Sequence, residues 1–162
     1  MVEVKANRGI IIKPLYLDEI KKIIEARLAI EGYSSSVLAK NLTTDKAQNL
    51  IKSLEHNLVL QEKSLTSNNA YYEFMLLDLD FHEAIIDFTD NNYFREIIRM
   101  LRARLEVATL KSLHEEERLV NALNEHKKLV TAIKTGNPHK AFEAFDFHMQ
   151  KTSDIMDQCY GT

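Results

Sequence analysis

Residues 119–149, LVNALNEHKKLVTAIKTGNPHKAFEAFDFHM, decide how this chain is read. Up to Lys134 the apolar positions Leu119, Leu123, Val130 and Ile133 recur at three- and four-residue intervals with His126 in register, the stripe of an amphipathic helix. Gly136-Asn137-Pro138 stops it, because glycine takes the left-handed turn after a helix and proline opens the next one. The stripe then resumes with Ala141, Phe145, His148, Thr152 and Ile155. Two helices joined by so short a turn must lie side by side and antiparallel.

The same stretch carries chemistry. His126 lies ten residues before Gly136 and His148 eleven after Asn137. At about 1.5 Å rise per residue each imidazole sits roughly 15 Å along its helix from the turn, so the two rings can face each other across the pair.

Four more helices are predicted upstream. Leu17, Ile20, Ile24, Leu28 and Glu31 form the stripe of the first, which Gly32 and Ser34-Ser35-Ser36 loosen before it reaches Lys40. Thr43-Thr44-Asp45 caps a second, buried through Ala47, Leu50, Ile51, Leu54 and Leu58 and ending near Lys63. Asn68-Asn69 caps a third carrying Tyr71, Phe74, Met75, Asp78, His82, Ile85 and Ile86. After a break at Thr89 to Asn92, a fourth buries Phe94, Ile97, Ile98, Leu101, Leu105 and Ala108. Glu115-Glu116-Glu117 is expected on the first turn of the fifth, where acid complements the helix dipole. The predicted fold is an all-α antiparallel bundle of about six helices.

Residues 1–13 read differently. Val2-Glu3-Val4-Lys5 and Ile10-Ile11-Ile12-Lys13 are β-branched runs around Asn7-Arg8-Gly9, a short hairpin. A lone hairpin is marginal in water, so it reads as the remnant of a larger unit that precedes the helical domain at 14–162.

With 162 residues, 45% hydrophobic and 28% charged, the chain suits one globular core rather than a disordered one. Four glycines and two prolines fit an all-helical protein. The single cysteine, Cys159, precludes an internal disulfide and fits a reducing cytoplasm. Ile10-Ile11-Ile12 is far short of the roughly 20 apolar residues of a membrane span, and a net charge of −3 gives no cationic face for nucleic acid.

Asp78 and His82, four apart, project from one helix face and can reach one ion. Asp78, His82, His126 and His148 all fall on apolar stripes, where each would cost a few kcal/mol if left unpartnered. Three imidazoles and a carboxylate suit Zn²⁺, with Ni²⁺ or Mn²⁺ as alternatives and positions open for a ligand. The bland alternative makes each histidine a hydrogen-bonded core residue. His56, His114 and His139 read as surface. Arg27 and Arg104 are flanked by apolar neighbours, so their guanidinium groups are candidates to hold a small carboxylate beside the metal. Internal salt bridges, with Glu31 or Glu125, are the competing reading. A metal-dependent hydrolase with Glu83 or Glu125 as base is a rival function, without a second catalytic motif to support it.

Asp78-Leu79-Asp80-Phe81-His82, Asn92-Tyr93-Phe94, Glu125-His126, Ala132-Ile133-Lys134-Thr135-Gly136 and Ala141 to His148 resemble, in order and spacing, the GntR-type regulators that carry a FadR C-terminal (FCD) domain. The resemblance covers nearly the whole chain. It implies a metal held by Asp78, His82, His126 and His148, and a homodimer. It also implies that Val2 to Pro14 ends a winged helix-turn-helix, with Arg8 on the DNA-facing wing and operator DNA bound only through that preceding domain. Asn137 stands where the family usually has aspartate.

Overall fold

The computed structural model describes residues 2–4, 10–12, 15–115 and 117–161. Strands β1 (Val2–Val4) and β2 (Ile10–Ile12) pair antiparallel, Val2 opposite Ile12 and Val4 opposite Ile10. The hairpin tip lies outside the described residues, and Arg8 with it.

Six helices follow, as the periodicity predicts. The first, α1, runs as Leu17–Arg27, a π-helical turn Leu28–Gly32 and Tyr33–Lys40 without a break. Then come α2 (Asp45–Ser64), α3 (Ala70–Asp87), α4 (Asn92–Leu113), α5 (Arg118–Lys134) and α6 (Pro138–Tyr160). The α5–α6 hairpin packs with α6 along α1 and α5 against α2, while α3 bridges α2 and α4.

Local chemistry accounts for the boundaries. The Thr44 hydroxyl accepts from Ala47 N, and the Asn91 and Asn137 side chains each accept two backbone N–H groups at the starts of α4 and α6. Asparagine at 137 therefore does the capping work of the aspartate usual there. Gly136, at φ 69°, takes the left-handed turn.

Two expected caps differ. Asn69 makes no side-chain cap; Ser67 Oγ instead accepts from Asn69 N and donates to Glu73. Glu115 and Glu117 lie in the turn before α5, with Glu117 left-handed at φ 60°, so the acidic run does not occupy the first turn.

Loosening at Gly32 and the serines takes a definite form. The hydroxyls of Ser34, Ser35 and Ser36 donate to the carbonyls of Ile30, Glu31 and Gly32, a pattern that bends helices. The π-turn lies directly before them and holds one more residue per turn than an α-helix. It carries Glu31 into the interior, where it is fully buried. At Gly32 a Cβ would stand 2.9 Å from the Phe142 ring, so glycine lets α1 and α6 cross closely.

Phe74, Phe81 and Phe145 are fully buried at the centre of the core, with Ile20, Leu38, Leu54 and Ile133 around them. Tyr71 and Tyr72 are exposed, and Ile97, expected inside, is 41% exposed with Met100 at 63%. Among the described residues, no helix is long and apolar enough to cross a membrane.

Candidate metal centre

Where α3, α5 and α6 converge, His82, His126 and His148 each offer a ring nitrogen within 4.8 Å of the other two. Hairpin arithmetic anticipates this convergence: the His126 and His148 ring centroids lie 4.8 Å apart. Asp78, one turn before His82 on α3, places Oδ1 3.4 Å from His126 Nε2 and 3.7 Å from His82 Nε2. The structure thus brings all four predicted ligands to one point.

Each histidine is held from behind. His126 Nδ1 lies 2.9 Å from Gln61 Oε1 on α2, and the Gln61 amide is turned that way by donating Nε2 to Asn57. His148 Nδ1 lies 2.7 Å from Glu125 Oε2. Glu125 in turn accepts from Arg118 Nη1 at 2.8 Å. His82 Nδ1 is 2.7 Å from Glu31 Oε2, off the hydrogen-bond line. With Nδ1 of His126 and of His148 donating outward, Nε2 of each is left as the lone pair facing inward, the tautomer a metal ligand needs. Phe81 stacks on the His126 ring at 4.5 Å, and Phe145 meets His82 and His148 edge-on.

The donor set fits a divalent cation. Buried His82 Nε2 and His126 Nε2 have no hydrogen-bond partner, a cost of about 1–3 kcal/mol each unless an ion takes them up. They stand 3.7 and 3.4 Å from Asp78 Oδ1 without forming a hydrogen bond to it. These separations approach the edge of a coordination tetrahedron, since two ligands each about 2.1 Å from a shared ion stand about 3.4 Å apart.

Electrostatics favour the metal-ready protonation states. Burial, reinforced by neighbouring His148, pushes His126 well below the ordinary histidine value. Burial, reinforced by His82 and Arg118, does the same to His148. Burial would raise Asp78, but the interaction with His82, joined by His126 and His148, holds its carboxyl well below the usual range. Glu31 behaves likewise: burial is outweighed by Arg27 and Arg102 and then His82.

A cavity of ~190 Å³ opens beside Asp78, between α1, α3 and α4, walled by Arg27, Arg102, Leu105, Glu106 and Thr109 among others. Arg27 lines it while its Nε donates to Glu31 at 2.7 Å, so cavity and internal salt bridge share one guanidinium. Arg104 does not reach it; it turns outward and pairs with Glu19. The second cavity arginine is Arg102, whose Nη1 donates to the Leu79 carbonyl at 3.0 Å and whose buried Nε has no partner. Its position between Ile98 and Leu105 on the buried stripe is the signal that identifies it; Arg104 belongs to the turn of exposed Met100 instead.

Gln61, Arg118 and Arg102 complete the site beyond the predicted residues, and Glu31 enters it as the salt-bridge partner of Arg27. Glu83, a rival base, pairs with Arg99 at the surface, and Glu125 is engaged by His148 and Arg118. His56, His114 and His139 are exposed.

The described geometry has parallels. A B. subtilis (strain 168) protein, the uncharacterized HTH-type transcriptional regulator YdhC, is 23% identical over 136 residues. That match covers 83% of this chain but only 58% of the relative. Among solved structures, E. coli McbR/YncC superposes with a TM-score of 0.79 at 17% identity, covering 98% of this chain and 78% of its own. The metal-free FCD domain of TM0439 gives 0.70 at 18% identity, covering 93% of this chain and 100% of its own. The FCD domain family model matches residues 22–151. These findings agree with the helical bundle: the chain belongs to the FCD domain family.

Proposed function

We propose that this chain is the effector-sensing domain of a GntR-type transcriptional regulator. A divalent cation, Zn²⁺ first among the candidates and Ni²⁺ or Mn²⁺ next, is held by Asp78, His82, His126 and His148. A small organic acid enters the adjoining cavity, reaches the ion past Asp78 and meets the guanidinium groups of Arg27 and Arg102. The observation that carries this role is the inward-facing Nε2 pair of His82 and His126, buried and unpartnered, beside a cavity lined by two arginines.

Sensing requires two arrangements with different affinity for the ligand. The chain acts as a homodimer in this scheme, with operator DNA bound through a winged helix-turn-helix joined at the β1–β2 end, in the cytoplasm. Support for a helix-to-helix contact comes from the outer face of α4, where Tyr93, Ile97, Met100, Arg104 and Val107 repeat at four- and three-residue steps and the four apolar ones are exposed. Against a hydrolase, both Glu83 and Glu125 are occupied in ion pairs, and Glu125 sits behind His148 rather than on its inward side.

Metal analysis of the purified chain and thermal denaturation with added Zn²⁺, Ni²⁺ or Mn²⁺ test the centre. Bound metal or a clear upward shift is expected; neither appearing would end the proposal. A small organic acid such as lactate added to the metal-loaded chain should then raise stability further, and no acid doing so would remove the sensing role while leaving the metal.

A further inference from the structure

We infer that the cavity is built for a monocarboxylic acid with a hydrogen-bond donor at its far end, a hydroxy or amino acid, and against a dicarboxylate. This rests on the sensing role proposed above and goes beyond it by assigning the charge pattern of the ligand.

Along α4 the cavity wall is written by Arg102, Leu105, Glu106 and Thr109, at the spacing that aligns residues on one helix face. Arg102 forms the inner end. Its side chain is 91% buried, it is fixed by the Leu79 carbonyl and by Glu31 Oε2 at 3.3 Å, and its Nε–H has no partner. A carboxylate oxygen would satisfy that donor. Glu106 stands one helical turn away, about 6 Å along the axis, exposed at the mouth. An acid anchored at Arg102 therefore extends toward a carboxylate. Met75, Leu79 and Leu105 line the way between, which suits a short hydrocarbon middle.

The charges point the same way. Arg27, Asp78, Arg102 and Glu106 all line the cavity, and Glu31 pairs with both arginines. Two guanidinium groups against three carboxylates leave one negative charge in excess, and a divalent ion converts this to one positive. A single carboxylate offsets that positive charge, an ammonium or hydroxyl at the far end can donate to Glu106, and a second carboxylate there would be unbalanced and would abut Glu106. Size sets a further limit: roughly 150 Å³ accommodates benzene, so ~190 Å³ takes an acid of similar or slightly larger size and not a long acyl chain.

Isothermal titration of the zinc-loaded chain with matched four-carbon acids tests this. The expected order is 4-aminobutyrate and 4-hydroxybutyrate tightest, butyrate next and succinate weakest, with roughly tenfold or more between the first and last because like charges are juxtaposed. Glu106→Gln, at an exposed position, should shrink the gap between succinate and 4-aminobutyrate severalfold. Succinate binding as tightly as the amino and hydroxy acids overturns the inference, as does a gap unchanged in Glu106→Gln. If none of the four binds the zinc-loaded chain this inference falls, and the sensing role falls with it when lactate also fails to bind; if all bind without discrimination, only this inference falls.

Discussion

Replacing Glu31 with alanine should destabilise the metal-free chain by about 3–5 kcal/mol, the cost of breaking a buried ion pair and stranding its partner. The structure makes the loss larger than for an ordinary pair. Glu31 is fully buried, accepts from Arg27 Nε at 2.7 Å, lies 3.3 Å from Arg102 Nη2 and is 2.7 Å from His82 Nδ1. Its removal leaves two buried guanidinium groups without their shared counter-ion. At about 2–4 °C per kcal/mol for a domain of this size, the melting temperature should fall by roughly 6–20 °C.

Urea titration in EDTA reads the effect without a contribution from metal. Glu55→Ala serves as the internal control, since its pair with Lys134 is exposed on both sides and is worth about 0–1 kcal/mol. The double variant Arg27→Ala with Glu31→Ala should lose less than the two single variants together, because the stranded charge is removed with its partner. A Glu31→Ala loss no larger than that of Glu55→Ala would refute the claim that this carboxylate organises the interior.

Zinc at a hundred times its dissociation constant should stabilise the chain by about 2.7 kcal/mol, and His126→Ala or His148→Ala should abolish that gain in a thermal-shift series. Glu125→Gln keeps the shape behind His148 but weakens its hold on Nδ1; zinc affinity, measured by competition with a chelating dye, should drop about 10- to 100-fold, and an unchanged affinity would count against the orienting role. The metal-free chain should lose stability on mild acidification. His126 and His148 stay neutral in the fold, whereas the unfolded chain takes up protons below about pH 6.5, so stability is complete above that value and declines as pH falls through it toward the lower folded values. Equal urea midpoints at pH 7.5 and 5.5 would contradict this.

Much of this architecture is legible in the sequence because its signals are periodic. The stripe of Leu119 to Ile133, the stop at Gly136 and the restart at Pro138 place His126 opposite His148 by counting alone. Asp78 and His82 follow from helical spacing. What escapes is phase. Arg102 and Arg104 lie two residues apart, about 200° around the helix, and which one faces inward depends on whether Met100 or Ile98 marks the core side. Ile98 does. Gln61 also sits on an apolar stripe, but a polar residue there announces burial without naming its partner, here His126 on a helix distant in sequence; Glu31 is legible as a salt-bridge partner of Arg27 one turn away, but its reach to Arg102 and His82 on other helices is not. The Ser67 cap and the left-handed Glu117 are backbone choices that composition does not encode.

The π-turn at Leu28–Gly32 has a geometric corollary. One residue corresponds to about 100° of rotation around a helix axis. Deleting Ala29 would let α1 close into an unbroken α-helix, a locally better-bonded state. Because the wider turn already absorbs the surplus residue, the deletion would leave Leu17–Arg27 in nearly the same rotational phase, whereas the same residue without the wider turn would swing that segment through about that angle. The wide turn thus works as a phase corrector, keeping Ile20 and Ile24 on one side of it and Leu38 on the other turned toward the same core.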